Sequence, residues 1–221
     1  GLGDWTSGFS VGSATDWRGI QACTAASGTQ IFRFGGTTCT GDYATTRQLS
    51  WAAPKGATGI AGPANATDTR VTFNHRWAFE TGYDGGTLRL SLDNSAFAAV
   101  PSSAIVSGTA YNGTTSTTCP PTGGGGVSVF TNTQTTFVST VVDLDPVCNT
   151  ITGGSGGCAG QTVWIRFTAI GDCSTGGDGW FLDDVVVTAD VPGTSCSTAP
   201  EPVQVLTATG TTGQNVLEWV N

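Results

Sequence analysis

Methionine is absent from this 221-residue chain, lysine and histidine occur once each (Lys55, His75), and glutamate occurs three times (Glu80, Glu201, Glu218). Charged residues make up only 11%. Helical proteins draw heavily on Glu, Lys, Leu and Met, so these shortages exclude a mostly helical fold. Basic clusters are lacking too. A net charge of −8 gives no stripe of Lys and Arg to follow a phosphate backbone, so nucleic acid is excluded as a partner. No apolar run approaches the ~18 residues of a spanning helix, and no membrane span is expected. No signal peptide or initiator Met precedes Gly1, so the chain reads as a mature or excised piece of a secreted or cell-surface protein.

What remains is glycine (33 residues), with Thr and Ser punctuating short runs of Val, Phe and Trp. These are strand formers. From Thr69 the pattern alternates, with Val71, Phe73, His75, Trp77 and Phe79 on one face and Arg70, Thr72, Asn74 and Arg76 on the other. That is a half-buried strand. A turn over Thr81–Gly86 leads to a second strand with Leu88, Leu90 and Leu92 inward and Arg89, Ser91 and Asp93 outward. Further strands are expected near residues 30–34, 48–52, 127–131, 136–144, 162–169 and 179–188. No stretch of ten or more residues shows a helical period. The fold class is therefore all-β, a two-sheet jelly-roll or β-sandwich over residues 1–190. Residues 191–202, rich in proline and small polar residues, read as a linker. Residues 203–221 read as a partial second β segment.

Seven cysteines at irregular spacings form no Cys-x-x-Cys pair, and one histidine cannot complete a zinc site. Disulfides in an oxidising compartment are the natural reading. The local pairs expected are Cys23–Cys39 and Cys148–Cys158. Cys119 and Cys173 are candidates for a third bridge, and Cys196 is left to pair outside the fragment. Asn65-Ala66-Thr67 and Asn112-Gly113-Thr114 are glycosylation sequons.

Three stretches carry a family resemblance: Phe73–Gly86 with Leu90-Ser91-Leu92-Asp93; Asp143-Leu144 with Ala159–Phe167; and Gly179-Trp180-Phe181-Leu182-Asp183-Asp184-Val185-Val186-Val187. Together they resemble the MAM-like jelly-roll modules attached to secreted bacterial metallopeptidases of the immune inhibitor A type and to other surface proteins. The segment 202–220 is similar to the opening strands of a fibronectin type III domain. The resemblance implies an accessory role without an active site, and often a structural Ca²⁺. The segment from Cys148 to Cys158 is longer than the corresponding loop of the family.

The resemblance places a calcium ligand at Asp183, joined by an acid early in the chain, for which Asp4 is the candidate. The residues themselves put Asp183 on the same strand face as Val185 and Val187, with Asp184 turned the other way. A buried carboxylate needs a cation or a hydrogen-bonded partner, so the alternatives are an ion pair, for example with Arg166, or the capping of a turn. Glu80 and Asp84 flank a glycine-rich turn and form a second candidate oxygen site; the alternative is that Asp84 bonds its own turn while Glu80 is solvated.

Gly153-Gly154-Ser155-Gly156-Gly157 matches the nucleophile-elbow pattern but lies in a disulfide loop, and His75 shares an inward face with Phe73 and Trp77. A serine triad is rejected on these grounds, and no carboxylate pair is singled out for glycosidase chemistry. Trp164 points away from the face of Val163 and Ile165 and is the candidate for an exposed ligand-binding aromatic. The expected function is a non-catalytic structural or adhesive module, calcium-stabilised, serving neighbouring domains of its own polypeptide or a cell-surface glycan or protein. The alternatives are a carbohydrate-binding module and a filament subunit that pairs with other copies through its C-terminal strands.

Overall fold

The computed structural model describes side chains and backbone over residues 23–35, 39, 59–117, 125–172 and 175–193, and the backbone alone of the strands at 5–11, 17–20, 48–54, 205–211 and 214–220. Two compact units emerge, Gly1–Val191 and Pro192–Asn221.

The first unit is a sandwich of two six-stranded sheets. Numbered along the chain, one sheet runs β1 (Trp5–Val11), β4 (Gln48–Pro54), β13 (Thr162–Gly171), β7 (Gly85–Ser91), β8 (Ala98–Ala99), with β5 (Ile60–Ala61) pairing the start of β13. The other runs β2 (Trp17–Ile20), β3 (Ile31–Phe34), β14 (Gly179–Asp190), β6 (Thr67–Ala78), β12 (Thr133–Asp143), β9 (Ile105–Ser107). A small ladder joins β10 (Gly113–Thr114) to β11 (Ser128–Val129), and in the second unit β15 (Val205–Thr211) pairs with β16 (Gln214–Val220) as an antiparallel hairpin. The all-β two-sheet reading holds.

Alternation explains why the sheets close on each other. Val71, Phe73, His75 and Trp77 of β6 are buried at every second position, as a strand's period of two demands. They meet Leu88 and Leu90 of β7, Ile165 and Phe167 of β13, and Trp180 and Leu182 of β14 in one continuous core. Phe73 and Phe167 pack edge-on with ring centroids 5.1 Å apart. Trp180 is fully buried, and its indole leaves no room opposite: a Cβ on Gly86 would lie 2.4 Å from the Trp180 Cε3 atom. Gly86→Ala is therefore expected to cost about 1–3 kcal/mol by overpacking. Urea unfolding at an unchanged m-value measures this; a wild-type midpoint would mean that Trp180 yields freely.

Disulfides join Cys23 to Cys39 and Cys148 to Cys158, the two local pairs named from the sequence. The first flanks a minor core on the outer face of the second sheet, where Phe181 packs with Ile31 and lies 3.6 Å beneath the Arg76 guanidinium carbon.

Two features are not legible in the sequence. The segment leading into the second disulfide loop is not irregular. Asp145–Thr152 forms a helix, α1, with Pro146 at its start and Gly153 ending it in the left-handed region at φ 69°. Asp145 fixes it from below, accepting from Cys158 N at 3.0 Å. Its eight residues are too few to display a helical period. Also, on the outward face of β7 Thr87 and Ser91 are both fully buried, and Arg89 between them is half-buried. The first sheet is covered on both faces there.

Candidate metal centre

Three carboxylates from three separate elements converge at one end of the sandwich. Glu80 follows β6, Asp84 precedes β7 and Asp172 follows β13. The β13–β7 register brings Ile170 opposite Gly85, which sets Asp172 beside Asp84 although 88 residues separate them. One oxygen of each carboxylate lies within 4.8 Å of the others.

The turn that shapes the site is closed by backbone bonds. Tyr83 N and Asp84 N both donate to Glu80 O, at 3.2 and 3.0 Å, with Gly82 in the left-handed region at φ 76°. Thr131 Oγ1 donates to Glu80 O at 3.2 Å, and Asp172 N donates to Asp84 Oδ1 at 2.7 Å. Asp84 is 1% exposed and Asp172 7%. Glu80 is half-buried, and its Oε2 is enclosed with no hydrogen-bond partner.

Ionised carboxylates 4.8 Å apart repel one another by roughly 3–4 kcal/mol per pair at an effective dielectric of about 20. Glu80 shows the consequence: burial first, and the Asp172 charge second, hold its carboxyl above the usual range. The trio is suited to a hard divalent cation such as Ca²⁺, which takes carboxylate oxygens in flexible geometry. The orphaned Glu80 Oε2 supplies the test of fit, an enclosed acceptor awaiting a charge rather than a solvated one. Of the residues singled out from the sequence, the structure brings Glu80 and Asp84 together. Asp172 was missed.

Asp183 lies elsewhere. A bulge interrupts the β14–β6 register between Asp183 and Val186, with Asp184 at φ 49°. That bulge lifts Asp183 off the face expected for it, and it is half-buried rather than buried. Its Oδ2 accepts from Ala26 N at 2.8 Å and Ser27 N at 3.0 Å, and its Oδ1 from Asp184 N at 2.9 Å. Asp184 accepts from Ser27 Oγ and from Asn74 Nδ2. In this geometry the pair caps the loop after Cys23. Asp4 lies outside the described residues, as do Cys119, Cys173 and Cys196.

Trp164 does point away from the core, but it is only 8% exposed and offers no open platform. Gly59 explains the cover, since a Cβ there would lie 2.6 Å from the Trp164 Cε2 atom. Asn65 sits exposed in a turn. The Asn112 amide, by contrast, donates to Thr131 O at 3.0 Å and accepts from Thr131 N at 2.8 Å, so this sequon side chain is tied to the neighbouring strand.

Ser155 is exposed and follows α1, whereas an elbow serine stands between a strand and the helix after it. His75 is fully buried. Trp180 Nε1 donates to its Nδ1 at 3.2 Å, and its Nε2–H faces Thr140 Oγ1 at 2.9 Å. Thr140 Oγ1 in turn donates to Thr109 O at 3.4 Å. The chain's single imidazole is thus a core residue, unable to reach a surface nucleophile.

These features define a disulfide-bonded β-sandwich module. No family model matches the chain, so the MAM-like and fibronectin-like resemblances rest on the quoted motifs alone, and no curated protein matches it. Among solved structures it is similar to the carbohydrate-binding module TmCBM61, solved in complex with β-1,4-galactotriose. The two are 12% identical with a TM-score of 0.46, over 86% of this chain and 90% of that one. No helix among the described residues is long and apolar enough to cross a membrane.

Proposed function

We propose that the chain is a non-catalytic accessory module of an extracellular protein, its sandwich fixed by disulfides and by one structural Ca²⁺ held by Glu80, Asp84 and Asp172. The observation that carries this is the convergence of three carboxylates within 4.8 Å, two of them buried and the half-buried third with an enclosed and unpartnered oxygen. Disulfides favour an oxidising compartment. The locked His75 withdraws the single imidazole from acid–base chemistry. Such a module acts by being rigid: it spaces neighbouring domains and presents its faces to a partner.

Thermal melts in calcium and in EDTA test the cation. A ligand at one hundred times its Kd stabilises by about 2.7 kcal/mol, and each kcal/mol is worth about 2–4 °C for a domain of this size. A rise of roughly 5–10 °C in calcium is expected. Coincident melts would remove the cation from this reading.

A further inference from the structure

We infer that a cavity between the two sheets, beside the Cys148–Cys158 bridge, takes an uncharged apolar ligand the size of a single ring. Its volume is about 170 Å³, and it is partly open to solvent. Ile60 of β5 and Val163 of β13 wall it on the first sheet, and Val187 and Ala189 of β14 on the second. Cys158 lines it as well, and Val191, 51% exposed, stands on its open side.

No charged side chain lines the cavity, and most of its surface is apolar. An ion or a heavily hydroxylated molecule would shed water there without gaining replacement hydrogen bonds, which is costly. Size sets a second limit. An apolar cavity of about 150 Å³ stays dry and accepts benzene, so this one holds one six-membered ring and little more. The walls are preformed, as those of ligand sites usually are. Gly62 N donates to Gln161 O at 2.9 Å, Gly160 N to Pro63 O at 2.8 Å, and Gln161 N to Cys158 O at 3.0 Å. The disulfide holds Cys158 from the other side. Along β14 the register with β6 shifts between Thr188 and Asp190, where Asp68 takes φ 51°. A bulge of this kind re-aims neighbouring side chains and recurs beside active sites. Protein interiors are close-packed, with few voids larger than a water molecule. A ring-sized apolar gap in fixed walls, continuous with the main core through Val163 and Cys158, is therefore a site. This inference does not rest on the proposed cation, whose melts are read separately.

The test titrates the full chain, its Ile, Leu and Val methyl groups isotope-labelled for NMR, with benzene and with glucose, a polar ring of similar size. The ring current of bound benzene should shift the methyl signals of Ile60, Val163 and Val187 and leave those of Leu88 and Leu182 in place. Glucose should bind more weakly by about tenfold or more. Ala189→Phe places a phenyl group in the cavity and should cut benzene affinity by about tenfold or more without lowering Tm. Val191→Asp puts a charge on the open side from an exposed position and should weaken benzene by roughly threefold. That variant covers the case in which Ala189→Phe fails to fold. Absent methyl shifts at saturating benzene, shifts centred on Leu88 and Leu182, equal binding of glucose, or wild-type affinity in the folded variants would overturn the proposal.

Discussion

Between pH 6.5 and pH 3 the module is expected to lose about 5 kcal/mol of folding stability through His75 alone. Burial lowers the imidazole from 6.5 to about 3. In that window the unfolded chain takes up a proton that the native core refuses, so acid favours unfolding. The contribution is complete above pH 6.5 and gone below about pH 3. The gap between the two values, at 1.36 kcal/mol per pH unit, sets the size. The structure gives the cause: Nδ1 accepts from Trp180 and Nε2 donates to Thr140, so the neutral ring is satisfied, while Phe73, Trp77 and Phe130 surround it with apolar surface. Glu80 acts in the opposite sense. Its raised carboxyl binds a proton more readily in the native state, so without a cation that residue favours folding as pH falls. Urea midpoints from pH 7.5 to 3.5 in EDTA separate the two, because His75→Phe removes only the acid-sensitive limb. An unchanged slope in that variant would assign the acid loss elsewhere.

The second large effect is at Trp180. Trp180→Ala should cost about 3–5 kcal/mol for the cavity, and the orphaned His75 acceptor adds about 1–3 kcal/mol. The ring lies within 6.4 Å, centroid to centroid, of Phe79, Phe130, Phe167 and His75, so four aromatic side chains lose a shared neighbour. Trp180→Phe should cost less and should relieve Gly86→Ala, because the smaller ring frees the space that the new methyl enters. A double-mutant cycle by urea unfolding reads this coupling. Simple additivity would show that Gly86 is required by its backbone rather than by the indole.

How much of this was legible in the sequence depended on how local the determining interaction is. The β6 alternation from Val71 to Trp77 is local, aromatic and strictly periodic, so its buried face could be read directly. The turn at Gly82–Gly86 and the two disulfides were likewise set by short-range composition. Asp172 was not legible, because nothing near it marks it as a site residue; only the pairing of β13 with β7 sets it beside Asp84. Asp183 was misplaced for a different reason. Strict alternation with Val185 and Val187 assumes an unbroken register, and Asp184 in the left-handed region breaks it. Trp164 illustrates a third limit: alternation says which way a side chain points, not whether a glycine loop lies over it.

The central claim is that Glu80, Asp84 and Asp172 form one cation site, and calorimetric titration of the chelator-stripped chain with Ca²⁺ tests it most directly. One ion per chain is expected, with binding abolished by Asp84→Asn and by Asp172→Asn while both variants keep the far-UV circular dichroism of the wild type. Absence of binding heat together with unshifted melts, or binding that survives both substitutions, would contradict the account.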